Sequence, residues 1–203
     1  MSPIYKLSAN SLALGRTAYR DFLMGNTVFN PWAPQGAMDA LGSVTVPSGG
    51  LSSITFSAIP NTYTDLEIRT LGRTVYAANS NSNVSIFYNG DTTATNYYSH
   101  YLYGTGSAAG AAANNSALYS FQTPDDSVTT NVFGAAISVV KDYANPNKNT
   151  TLRSLSGYDG NGSGVIAFTS TGWTNTTPVN SLTITAQDGS WKAGTTISLY
   201  GVR

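Results

Sequence analysis

No cysteine occurs among the 203 residues, so neither a disulfide framework nor a thiolate metal site can form, and stability must come from a packed core and from contacts between copies. Charge is the next scarcity. Ten basic and ten acidic residues cancel, and charged residues make up 10% of the chain, against about a quarter in an ordinary soluble domain. A protein that tracks phosphates presents a basic face, so nucleic acid is not an expected partner. No apolar run approaches the roughly 18 residues of a membrane span, and Met1-Ser-Pro-Ile-Tyr-Lys6 lacks the basic and apolar regions of a signal peptide. Neither signal-directed secretion nor membrane insertion is therefore expected.

Groups that carry chemistry are equally few. His100 is the single histidine and Glu67 the single glutamate, and no Gly-x-Ser-x-Gly elbow frames a serine. Asp125 and Asp126 are adjacent, so their carboxylates diverge in an extended chain and do not form a glycosidase pair by themselves. Asp159-Gly-Asn-Gly-Ser-Gly164 resembles the first half of a calcium loop, but its twelfth position is Ser170 rather than a bidentate carboxylate, which favours a hairpin turn. Gly104-Thr-Gly-Ser-Ala-Ala109 is followed by no amphipathic helix, so it is no dinucleotide fingerprint. The chain is read as non-enzymatic, with no cofactor and no metal.

What is abundant is neutral polarity. Ser, Thr and Asn make up about a third of the residues, against a lower share in average domains. Such a surface suits hydrogen bonding to neutral partners, either sugars or copies of the same protein. Five Asn-x-Ser/Thr sites, at Asn83, Asn114, Asn149, Asn161 and Asn175, follow from that abundance rather than from glycosylation.

Residues 1 to 41 differ from the rest. Phe22-Leu-Met24 and Thr27-Val-Phe29 flank Gly25-Asn26, a pair suited to a primed turn, and Asn30-Pro-Trp-Ala-Pro-Gln-Gly36 resists any continuous element. This predicts a docking arm with a short hairpin. Phe22, Leu23, Phe29 and Trp32 are too many apolar groups for a solvated tail, and are its expected contacts with other proteins.

From Gly42 onward short β-type segments follow one another: 43–46, 51–57, 65–76, 83–89, 97–103, 117–121, 132–143, 150–156, 165–170, 181–186 and 196–202. Alternation is clear in Ser181-Leu-Thr-Ile-Thr-Ala186, at Leu66 and Ile68, and at Ile197 and Leu199, with Thr and Ser on the other face. Turn residues at Pro47-Ser-Gly-Gly50, Asn89-Gly-Asp91, Asp159-Gly-Asn-Gly162 and Asp188-Gly189 divide the segments. The expected fold is all-β: an antiparallel β-sandwich of jelly-roll type over residues 42 to 203. The Gly- and Ala-rich stretch 104–116 is read as a loop.

Thirteen tyrosines stand out. Tyr97, Tyr101 and Tyr103 share one face of a strand, with His100 among them. These rings either pack the sheet and a subunit interface or stack on sugar rings.

The segments Ser53-Ile-Thr-Phe-Ser-Ala-Ile-Pro-Asn-Thr-Tyr-Thr-Asp-Leu-Glu-Ile-Arg69, Phe87-Tyr-Asn-Gly-Asp91, Tyr97-Tyr-Ser-His-Tyr-Leu-Tyr-Gly104 and Ile197-Ser-Leu-Tyr-Gly201 resemble a β-rich family of tailed-bacteriophage virion proteins, described as tail fibre, minor tail or capsid decoration components. The hairpin at 22–29 is similar to short anchoring motifs of phage structural proteins. The resemblance implies a virion location, on the tail apparatus as a fibre or baseplate-associated component, or alternatively on the capsid surface as a decoration protein. It also implies self-association, expected as a homotrimer, contacts with other virion proteins through the arm, host-surface glycan as a partner of the displayed loops, and no catalytic residue.

Overall fold

The structure is a computed structural model that describes residues 37–114 and 118–203. Phe22, Leu23, Phe29, Trp32 and the expected hairpin lie outside the described residues. Among the described residues twelve strands follow in order: β1 (Met38–Thr45), β2 (Ser53–Phe56), β3 (Asp65–Gly72), β4 (Asn81–Tyr88), β5 (Tyr97–Gly104), β6 (Ala109–Asn114), β7 (Phe121–Pro124), β8 (Gly134–Lys141), β9 (Thr150–Asp159), β10 (Gly164–Trp173), β11 (Leu182–Ala186) and β12 (Thr196–Val202). Every pairing is antiparallel.

Two sheets form. One runs β2-β11-β4-β7, and the other β1-β12-β3-β8-β9-β10-β5-β6. The four strands β1-β12-β3-β8, opposed by β2-β11-β4-β7, have the strand orders of an eight-stranded jelly roll. Two hairpins are inserted into that frame, β5–β6 between β4 and β7 and β9–β10 between β8 and β11. They join edge to edge and continue the sheet β1-β12-β3-β8 by four strands. The sandwich is thus asymmetric, with the large sheet extending past the small one.

The core lies where the sheets overlap. Leu66, Ile68, Val140, Ile197 and Leu199 of the large sheet meet Ile54, Val84, Ile86, Leu182 and Ile184 of the small one, all at 2% exposure or less. Truncating any one of these to Ala costs about 2–5 kcal/mol. Towards the extension the inward residues shrink to hydroxyls. The Ser138 and Ser154 side chains bond each other at 2.7 Å, and Ser156 Oγ accepts the Gln122 N–H. Small residues suit this region because β7 lies close over β8 and β9 here, Ser156 taking a backbone N–H of that strand.

Three sequence-based expectations change. The stretch 104–116 is not one loop, for β6 occupies 109–114 and pairs with β5. Its Gly and Ala carry no alternation to read. Gly110 permits the pairing because the Tyr103 ring lies across it, with the hydroxyl 2.6 Å from where a Cβ would stand. The segment expected at 117–121 is irregular at 118–120, and β7 starts only at Phe121. The sandwich begins earlier than residue 42. The chain divides between residues 36 and 37, and β1 runs from Met38 with a bulge between Ala40 and Gly42 that breaks its alternation.

Candidate functional site

The outward face of the large sheet is the first candidate. Strand register places Ile137, Leu155, Phe168, Leu102 and Ala111 side by side across β8, β9, β10, β5 and β6. A second row runs beside it through Leu71, Ala135, Gly157, Ile166 and Gly104. Leu102, Ile137, Leu155, Ile166 and Phe168 are 47–60% exposed. The patch is concave, with a hollow of about 690 Å³ between β8 and the β9–β10 hairpin. On one side it is bordered by a polar row that includes Glu67, Arg153, Ser170 and His100. Elsewhere the outer surfaces are hydroxyl ladders, Ser43 with Ser198 at 2.8 Å on the large sheet and Thr55 with Thr183 at 3.1 Å on the small one. An apolar centre with a polar rim is the anatomy of a protein–protein interface.

The sequence carried a signal for this face that alternation does not use. Gly164-Val-Ile-Ala-Phe168 and Ala135-Ala-Ile-Ser-Val-Val140 are apolar on both faces. A strand of that kind is one buried on both sides, and within this unit only the inner side is covered.

The second candidate lies on the other side of the extension. Tyr97, Tyr101 and Tyr103 all point inward from β5, but they meet different surroundings. Tyr97 is 1% exposed, its hydroxyl donating to the Asp91 carbonyl at 2.7 Å and accepting the Tyr88 N–H at 3.2 Å, so it is core and offers no ring to a ligand. Tyr101 and Tyr103 lie further along the strand with ring centroids 6.0 Å apart, Tyr101 half-buried beside Phe121 and Gln122 of β7 and Tyr103 exposed. His100 points the opposite way, out to the rim of the apolar face beside Ser170 and Ala113. The structure therefore separates the expected cluster into a core tyrosine, a rim histidine and a pair of which Tyr103 is displayed.

That pair lines a cleft of about 520 Å³ together with Asn81, Gln122, Tyr158 and the hairpin loop at 162–164. Thr105, Gly162 and Gly164 line both this cleft and the apolar hollow, so two loop tips separate the candidates. The Asp159 to Gly164 segment forms the tip of the β9–β10 hairpin, where Asp159 Oδ1 accepts the Asn161 N–H at 2.8 Å and Asn161 and Gly162 adopt φ of 62° and 96°.

Buried ionic anchors hold the neighbouring loops. Arg73 is 2% exposed and donates to Asp126 Oδ1, to the carbonyls of Thr129 and Val132 at 2.8 Å each, and to that of Val128 at 2.6 Å. Asp126 also pairs with Lys192. Asp125 turns the other way and accepts the N–H groups of Asn79 and Ser127, each at 2.9 Å. The two adjacent aspartates thus tie down opposite sides of one corner. Asp91 accepts the Trp173 indole N–H at 2.8 Å, the Asn96 amide at 2.8 Å and the Thr93 N–H at 2.9 Å. Its burial raises the pKa, but those hydrogen bonds outweigh it and hold the carboxyl at about 2. Among the described residues no helix is long and apolar enough to cross a membrane, and no group of three His, Cys, Asp or Glu side chains is placed to hold a metal ion.

No family model and no curated protein matches the chain. Solved structures with partial similarity include the tripod from the baseplate of bacteriophage Tuc2009, with 6% identity and a TM-score of 0.28, the alignment covering 87% of this chain and 69% of that one. They also include the Drosophila NLP core, with 11% identity and a TM-score of 0.22 over 82% and 97% of the two chains. A fructofuranosidase from Schwanniomyces occidentalis aligns at 5% identity and a TM-score of 0.24, over 84% and 35%. At these values the likenesses define neither a family nor a function for this chain.

Proposed function

We propose that this chain is a non-enzymatic structural protein of a tailed-bacteriophage virion, a tail fibre or baseplate-associated component that contributes to assembly and to recognition of the host surface. The observation that carries the reading is the pair of apolar rows on the outer face of the large sheet. Six large side chains near half exposure, Leu71 among them, present on the order of 500 Å² of apolar surface. That is at the upper end of the largest patch on an ordinary monomer, and with the adjoining alanines it approaches the ~800 Å² per partner of a specific interface. Near-zero net charge suits a surface that meets its own copies, since like faces then carry little repulsion. Covering this face in a homotrimer, with residues 1–36 left to engage other virion proteins, accounts for both parts of the chain. The resemblance in residues 53–69, 87–91 and 97–104 supports the virion setting.

The test is immunogold electron microscopy of intact virions with an antibody raised against residues 37–203. Label at the tail is the expected result. Label spread over the head would replace the tail role with capsid decoration, and the absence of label from particles would overturn the virion reading.

A further inference from the structure

We infer that the cleft between the β5–β6 and β9–β10 hairpins binds a neutral saccharide. The inference deepens the recognition half of the function proposed above, although the cleft's chemistry stands apart from any virion setting.

The lining contains amides, hydroxyls, aromatic rings and backbone, and no ionisable acid or base of the carboxylate, ammonium, guanidinium or imidazole type. A site of about 520 Å³ falls within the range that encloses a small ligand. Without charge it gives no preferential hold on a phosphate, a sulfate or an acidic sugar, which would need an arginine or lysine to offset their desolvation. It is also too polar for a purely apolar ligand. Hydroxyl and amide groups beside flat rings match a pyranose, whose ring has an apolar face and a polar edge.

Each half of that match has a named group. Tyr103 is 36% exposed, and Tyr101 is braced beside it by an edge-on contact with Tyr119 at 5.8 Å, so the pair offers a supported aromatic wall. Asn79, Asn81 and Gln122 supply the polar edge. The Gln122 amide donates to Asn83 Oδ1 at 3.2 Å and its Oε1 is buried, so the more open amides of Asn79 and Asn81 are the ones that meet a sugar hydroxyl. The Tyr158 hydroxyl is already engaged with the Ser80 carbonyl at 2.8 Å, which fixes that ring against the 79–81 loop. The wall and the polar edge are therefore in place before a ligand arrives, and little ordering opposes binding.

The test uses the purified full chain on a panel of neutral hexose and N-acetylhexosamine oligosaccharides, with sialylated and sulfated counterparts as controls. Soluble disaccharides form one arm and immobilised polysaccharides the other, which tells a chain-end ligand from one within a polymer. Neutral saccharides are expected to bind. Tyr103→Ala should weaken binding tenfold or more. Because Tyr103 also packs over Gly110, Asn81→Ala is the second variant, removing a lining amide remote from that contact, and should weaken binding severalfold with an unchanged melting temperature. Binding of no neutral saccharide, preference for the acidic controls, or an Asn81→Ala variant that binds like the native chain would each overturn the inference. None of these outcomes depends on where the protein sits on a particle.

Discussion

Phe168 on β10 stands directly opposite Leu155 on β9 on the outer face of the large sheet, and the two remain 47% and 53% exposed. Aromatic and aliphatic neighbours across strands are normally core or interface pairs. If copies cover this face, Leu155→Lys with Phe168→Asp should leave the isolated unit intact, with a stability change within about 0.5 kcal/mol. Self-association should weaken by about ten- to a hundredfold, since each side chain is already half buried and so contributes on association only about half of the roughly 1.5–3 kcal/mol of full burial. Thermal melting and sedimentation of the double variant check the two halves separately.

Arg73 predicts a different kind of loss. Replacing it with Met strands the carbonyls of Val128 and Val132, and leaves that of Thr129 only the Val132 N–H at 3.2 Å. The expected cost is about 3 kcal/mol or more, measured as a lower urea midpoint. Lysine should not rescue it, because one ammonium cannot match a fork that spans Asp126 and three carbonyls.

Acid sensitivity should trace in part to Asp91. Its folded pKa, about 2, lies below the ordinary carboxylate value of 3.8. The stabilisation is therefore fully present above about pH 4 and is lost as pH falls towards 2. Asp125 and Asp126 are shifted the same way, Asp125 by hydrogen bonds that outweigh its burial and Asp126 first by its bond to Lys192. Melting temperature should be flat between pH 5 and 8 and fall below 4. Asp91→Asn should make that fall shallower, because one depressed carboxyl no longer titrates, and an unchanged slope would remove Asp91 from the account.

Glycine at position 110 ties the sheet to the cleft. A Cβ there would stand within 3 Å of the Tyr103 ring, and the partly exposed ring has room to swing outward. Gly110→Ala should thus cost only about 1 kcal/mol and yet dismantle the aromatic wall. Saccharide binding lost with stability nearly retained is the expected signature.

Much of the fold was legible from alternation. Leu182 and Ile184 lie in the core, and Thr183 and Thr185 on the other face of β11, as the period of two requires. What was not legible depended on where one sheet ends. Tyr97, Tyr101 and Tyr103 share a face, as their spacing predicts, but only the tertiary packing decides that the first is core, against Tyr88 and Trp173, while the last is displayed. β6 escaped because Ala and Gly carry no β-branched signal. Ile166 and Phe168 escaped because alternation assumes a polar second face, and the apolar run containing them marks a face that is itself a contact surface. The Arg73 anchor is invisible in sequence, since its acceptors are backbone carbonyls more than 50 residues away.

The assembly claim is tested most directly by light scattering of the purified full chain across a dilution series from tens of micromolar downward. The account predicts a mass of about 64 kDa, three times the 21.3 kDa of one chain. A mass of about 43 kDa would keep the apolar face as an interface but contradict the trimer. A mass of 21.3 kDa at every concentration would contradict the claim that copies of this chain cover the face.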